Sequence, residues 1–316
     1  MEIHHTYRLI VLFGSLVVLH FSFLFSQTIT LQDLHIRRLS TRDGLQNNNN
    51  NVIYQDSKGY IWIGGQGLQR YDGYRFQNFL SAADNMLITQ ITDDNHSLFI
   101  TNENNQLLKY DSITSKFLLF QDSVLIHGQI LPLVIQYMKK DASGNVWVLL
   151  YGELAVIKKG ESQLTVISDK WNINGVKHYG HIYIEDHHDF WMLSKENGIL
   201  RYNIKTNVLS SRDFNTDKND IFNYSVTNES TLSKDKYGYF WFTDYKTRQV
   251  IRYDPVIKQK KLYYFPYQNI TDGKKNTFIN SIFSDKKGEL WLMPGEHVGL
   301  ARFDYSKDDL DRKSVV

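Results

Sequence analysis

An all-β fold assembled from repeated four-stranded units is what this sequence predicts, on three observations. One short string, apolar residues then an Asp, a turn and a Trp within an apolar strand, recurs six times along the 316 residues. The Trp slot falls at positions 62, 99, 147, 191, 241 and 291, so the copies are 37 to 50 residues apart. Aromatic residues make up 14% of the chain (20 Tyr, 18 Phe, 6 Trp) against four Pro, a balance suited to pleated, half-buried strands. A period of roughly 40 to 50 residues built of short strands is that of β-propeller blades, whereas solenoids of helix pairs share the period but not the pattern. The expectation is a β-propeller of about six four-stranded blades.

At the N-terminus, Arg8 precedes a mostly apolar run over residues 9–25, followed by Ser26, Gln27 and Thr28. That is the pattern of a secretory signal, and residues 1–27 are read as a signal peptide. A run of this length is at the lower edge of what spans a bilayer, so an uncleaved anchor is the competing reading and the expected route to membrane contact. Residues 28–305 are assigned to the propeller and residues 306–316 to a polar C-terminal tail. Either N-terminal reading exports the chain to the periplasm or beyond.

Composition narrows the function classes. The formal charge is +2, from 36 Lys and Arg against 34 Asp and Glu with the two signs interspersed, which leaves no electrostatic footprint for nucleic acid. The chain contains no Cys, which removes disulfides, a thiolate nucleophile and Cys-ligated metal.

The repeats carry their own local logic. The first copy, VIYQDSKGYIWIGG over residues 52–65, places Asp56 to cap its own turn and Gly59 at a position of positive φ, giving a tight hairpin. Gly144, Gly238 and Gly288 hold the same place, whereas His96 and His188 replace Gly in two copies. Those two blades are expected to be irregular. Beyond each Trp strand comes a second marker: Arg70-Tyr71-Asp72, Lys109-Tyr110-Asp111, Arg201-Tyr202-Asn203, Arg252-Tyr253-Asp254 and Arg302-Phe303-Asp304. Alternation that ends in Asp or Asn reads as a half-buried strand entering a turn. The third copy keeps the strand at 154–157 and loses the marker.

The stretch LSTRDGLQNNNNNVIYQDSKGYIWIGGQGLQRYDGYRFQNF, residues 39–79, closely resembles the two-component regulator propeller repeat, and the later copies follow its order to about residue 304. The resemblance implies the N-terminal periplasmic sensor region of a hybrid two-component histidine kinase. In that family two seven-bladed propellers precede a small β-sandwich, a membrane helix and the kinase. It implies a carbohydrate signal, with an oligosaccharide as ligand, self-association as a homodimer, and phosphorelay output through a kinase domain that this sequence does not contain. With six motifs the chain is expected to form an incomplete or truncated seven-bladed propeller, and residues 36–39 are the candidate closing strand. A free-standing binding module is the other reading of the same six motifs.

No nucleophile elbow, phosphate loop, metalloprotease helix or dinucleotide fingerprint occurs, so no catalytic residue, cofactor or metal site is assigned. The turn aspartates and strand tryptophans are read as structural. Residues 178, 181, 187 and 188 are all His, but they lack a paired carboxylate at metal-ligand spacing. Ligand-binding candidates are taken from polar and aromatic insertions outside the repeat: Tyr151, Trp171, His178, His181 and Tyr245. Two further function classes stay open, an exported carbohydrate-active propeller enzyme (lyase or glycosidase), which needs a clustered acid and base, and an adhesive module.

Overall fold

The computed structural model describes residues 38–81, 84, 86–150, 153–167, 181–184, 189–215, 218–227, 230–264, 267–268, 275–276, 279–294 and 300–311. Six antiparallel sheets of four strands follow one another along the chain, each with its strands in sequence order. The first strands are Asn50–Gln55, Ile88–Asp93, Ile135–Lys140, His181–Ile184, Ser233–Lys234 and Ile279–Ser284. The second are Ile61–Gly65, Leu98–Asn102, Val146–Leu150, Asp189–Ser194, Phe240–Thr243 and Leu290–Pro294, and each carries the residue of the Trp slot. The third are Gly67–Tyr71, Leu107–Asp111, Leu154–Ile157, Gly198–Asn203, Val250–Asp254 and Ala301–Asp304. The fourth are Phe76–Leu80, Lys116–Gln121, Thr165–Val166, Val208–Ser210, Gln259–Tyr263 and Asp309–Asp311. These are six propeller blades. The first strands of neighbouring blades lie against one another at the 1–2, 2–3, 3–4 and 5–6 junctions, so they line the centre.

The Asp-turn-Trp string folds for a reason visible in four blades. In blade 1 one oxygen of Asp56 accepts from the backbone N–H groups of Lys58 and Tyr60, and the other accepts from the Trp62 indole at 2.7 Å. Asp141 does the same for Trp147 at 2.8 Å, Asp235 for Trp241 at 2.7 Å and Asp285 for Trp291 at 3.1 Å. The carboxylate thus closes the hairpin and fixes the Trp rotamer together. Gly59, Gly144, Gly238 and Gly288 all have positive φ, between 73° and 91°, as the turn requires.

Blade 2 departs from the pattern, though not where His96 suggested. Its turn is one residue shorter, closed by Asp94 N–H to Ser97 O at 3.1 Å, and the positive φ is at Asn95 (73°). Asn is among the non-Gly residues that adopt positive φ most readily. His188, the other Gly replacement, lies outside the described residues.

The second marker also has a structural job. Its cation is the cross-strand partner of the Trp-slot residue: Trp62 with Arg70, Phe99 with Lys109, Trp191 with Arg201, Trp241 with Arg252 and Trp291 with Arg302. Arg70 is 5.8 Å from the Trp62 ring, Arg201 5.5 Å from Trp191 and Arg252 5.8 Å from Trp241, within cation–π reach. In blade 3 the partner of Trp147 is Val156, so the missing marker is a missing stack.

Five apolar clusters hold the blades together, one at each junction from blade 1–2 to blade 5–6. In each, the Trp-slot residue packs toward the following blade. Trp291 belongs to none of them. The faces of blades 1 and 6 that look away from their neighbours carry Ile53 at 70% exposure, Phe283 at 42% and Met293 at 46%. Between these blades the structure shows a hydrogen bond from Lys286 Nζ to Gln55 Oε1 at 2.8 Å, but no shared core among the described residues. The propeller is incomplete.

One sequence-based boundary shifts. Asp309–Asp311 forms the fourth strand of blade 6 and Leu310 is buried, so the expected boundary at 305 cuts a blade, and only residues 312–316 lie beyond the described chain. Of the candidate closing strand, Ile36 and Arg37 lie outside the described residues, while Arg38 and Leu39 are in no strand. No helix among the described residues is long and apolar enough to cross a membrane. The signal-peptide segment is outside them.

Candidate functional site

Because each blade is an up-and-down meander, its loops divide between two faces. One face gathers the first-to-second and third-to-fourth turns, and the other gathers the second-to-third turns and the connections between blades. Of the sequence-derived candidates, the described residues include Tyr245, in a second-to-third turn, and His181, on a first strand. Tyr151, Trp171 and His178 lie outside the described residues. Tyr245 is 54% exposed in the blade 5 turn, and its N–H donates to Ser225 O at 2.7 Å. Asp244 beside it is buried and accepts from Ser225 N–H and from the Thr247 hydroxyl at 2.6 Å, so this turn is welded to the connection that precedes blade 5.

His181 is not in a loop, because it opens the first strand of blade 4 and pairs with Leu193. Its imidazole is 5.1 Å from the Tyr137 ring on the first strand of blade 3. Lys139, two residues along, points its Nζ at Tyr183, 5.5 Å from the ring centre. Four polar side chains from two inner strands therefore meet at the blade 3–4 junction. Burial, helped by the Lys139 charge, pushes the His181 imidazole down to about 3, so it is neutral. Burial also lowers Lys139 and raises the Tyr137 phenol to about 12. His181 Nδ1 is buried with no hydrogen-bond partner among the described residues.

A second feature lies between blades 4 and 5. The connection from residue 211 to residue 232 drives Ile221, Phe222, Val226 and Leu232 into that junction, and the blades stand apart around them. Phe222 stacks on Trp191 at 6.2 Å and 17°. On the turn face this leaves a cavity of about 350 Å³, lined by Trp191, Arg201, Asn219, Lys234, Tyr239 and the turn at Tyr237 and Gly238, with Asp254–Val256 at its side. The equivalent space between blades 1 and 2 measures only about 70 Å³. Trp191 forms the floor under Arg201, whose Nε donates to Asp189 Oδ1 at 3.0 Å. In blades 1 and 5 the residue at that position is Tyr60 or Tyr239, stacked under its Arg at 4.3 Å and 4.9 Å. Tyr237 is 60% exposed and offers a ring at the rim.

Sequence reasoning looked for sites outside the repeat and so passed over Tyr137, Lys139, Tyr183, Arg201, Tyr237 and Tyr239, which are repeat positions. The signal available was chemical. Lys139 occupies an inner strand, and Asp189 stands where blades 1 and 5 have Tyr60 and Tyr239. Among the described residues no cluster of three His, Asp or Glu side chains could hold a metal ion.

Residues 44–67 match the sequence family described as two component regulator propeller. No curated protein matches the chain. Among solved structures, the fold resembles the extracellular domain of a hybrid two component system from B. thetaiotaomicron, with a TM-score of 0.61 at 16% identity over 86% of this chain. A second such domain from the same organism gives 0.59 at 18% identity over 88% of the chain. The chain spans 36% and 38% of those two domains. Virginiamycin B lyase from Staphylococcus aureus gives 0.55 at 10% identity, with 84% of each chain covered.

Proposed function

We propose that this chain is an exported ligand-sensing propeller of a two-component signalling system, that it binds a carbohydrate, and that it catalyses nothing itself. The observation that carries the reading is the two-component regulator repeat at residues 44–67, whose Asp-turn-Trp core returns in blades 3, 5 and 6 with the same hydrogen bonds. The likeness to sensor extracellular domains supports it at the level of fold. The blade 4–5 cavity supports the carbohydrate ligand. Its volume is at the lower end of the ~300–1,000 Å³ usual for small-molecule pockets, and it sets a tyrosine rim beside Arg201, Lys234, Asn219 and Asp254. Sugars are held by such a mixture, with apolar ring faces on aromatics and hydroxyls on charged and amide groups.

The test is a thermal-shift and calorimetric screen of the purified chain against neutral and acidic oligosaccharides, repeated with Tyr237→Ala. Saturable binding weakened about tenfold by that substitution, equivalent to about 1.4 kcal/mol, is the expected result. Affinity unchanged in the variant removes the cavity from the account, and absence of any carbohydrate binding removes the ligand class. The fold is shared with a lyase, which keeps an enzymatic reading in play, and release of cleaved product would establish it. Export is tested by cell fractionation, with mature protein in the periplasm beginning near Thr28 as the expected result.

A further inference from the structure

Lys139 and His181 present an unbalanced positive corner. Lys139 is held at the blade 3–4 junction with no carboxylate within ion-pair distance among the described residues; its Nζ lies 5.5 Å from the Tyr183 ring, and His181, on the same strand as Tyr183, packs 5.1 Å from Tyr137 on the strand that carries Lys139. The adjacent Lys140 makes the contrast, because its ammonium is paired with Asp93 and donates to Asn95 Oδ1 at 2.9 Å. A cation withdrawn from water without a partner is costly. The orphaned Nδ1 of His181 is a second, independent unsatisfied group at the same corner, and natural folds rarely leave such atoms unpaired.

We propose that Lys139 and His181 form an oxyanion site at the blade 3–4 junction, which receives a carboxylate or sulfate group of the ligand. The ammonium supplies the charge and the neutral imidazole supplies one N–H. Tyr137 and Tyr183 wall the corner and keep the local dielectric low, which strengthens both interactions. A fixed partner for Lys139 would be a competitor, and the described residues supply none. The proposal narrows the carbohydrate reading to acidic ligands and in that respect rests on it, yet the site can be examined with simple anions alone.

The experiment is an NMR titration of the full chain with sodium sulfate and with sodium acetate, read at the His181 imidazole, with chloride at matched ionic strength as control. Saturable movement of the His181 resonances by either anion and not by chloride is expected, with sulfate alone or acetate alone telling which group fits. Lys139→Met should abolish the movement and Lys139→Arg should keep it. No movement with either anion, or movement of the same size in Lys139→Met, overturns the proposal. Should Lys139→Met fail to fold, the chloride control and Lys139→Arg still decide. Parallel titrations with glucuronate and glucose separate the two readings. Sulfate or acetate binding at His181 without any sugar binding keeps the oxyanion site and sinks the carbohydrate, whereas sugar binding that leaves His181 unmoved does the reverse.

Discussion

At the scale of single residues, a few side chains do two tasks at once. Asp235 satisfies two turn N–H groups and the indole of a fully buried Trp241, so Asp235→Ala should destabilise the chain by about 2–4 kcal/mol, given ~1.5–3 for a hydrogen bond to a charged group and further unmet donors. A double-mutant cycle with Trp241→Phe in denaturant should return a coupling of about 1 kcal/mol or more. Additive effects would show that the indole bond contributes nothing. His181 gives a second prediction. Its folded value near 3 is far below the ordinary 6.5, so the unfolded chain binds the extra proton between those values and stability must fall as pH drops through that window. His181→Phe should flatten that acid limb, measured as urea midpoints across pH, and an unchanged slope would contradict the neutral assignment.

At the scale of elements, the hairpin glycines separate two causes of intolerance. A methyl group on Gly238 would meet nothing nearer than Lys234 Cε at 3.8 Å, whereas on Gly288 it would lie 2.5 Å from Lys236 Cβ and 3.0 Å from its Cα. Both have positive φ. Gly238→Ala should therefore cost only the backbone strain of about 1–2 kcal/mol, and Gly288→Ala measurably more, because the blade 5 turn must move. Equal costs would mean that the two turns do not press together. These hairpins were legible in the sequence, since Asp, Gly and Trp at fixed spacing state the turn, the strand and the buried face together. Blade 2 was less legible because Asn95, not His96, takes the strained conformation once the turn loses a residue. The fourth strand of blade 6 was missed for a similar reason. Asp309, Leu310 and Asp311 look like a polar tail until the cross-strand pairing of Phe303 with Leu310 buries the one apolar residue among them. The candidate site was hardly legible at all, since inner-strand pairs such as Tyr137 and His181 are 44 positions apart in sequence and only the stacking of blades brings them together.

At the scale of the whole molecule, the six blades are held by five shared cores and end in two exposed faces. Ile53, Phe283 and Met293 are left where a neighbouring blade would cover them, and burying such a side chain is worth about 1.5–3 kcal/mol. The purified chain should therefore bind an apolar dye in its native state and self-associate as concentration rises. Ile53→Lys combined with Phe283→Lys should suppress both while leaving the unfolding transition cooperative, as read by sedimentation and dye fluorescence. A chain that stays monomeric and dark at high concentration would mean that the two faces meet each other. The proposed ligand sites are at junctions 3–4 and 4–5, away from those faces. The most direct measurement of the central claim is calorimetric titration of the full chain with acidic and neutral oligosaccharides, followed by mass spectrometry of the recovered ligand. A saturable heat with the sugar returned intact is what a sensing propeller predicts, and either cleaved sugar or no saturable heat with any glycan would contradict it.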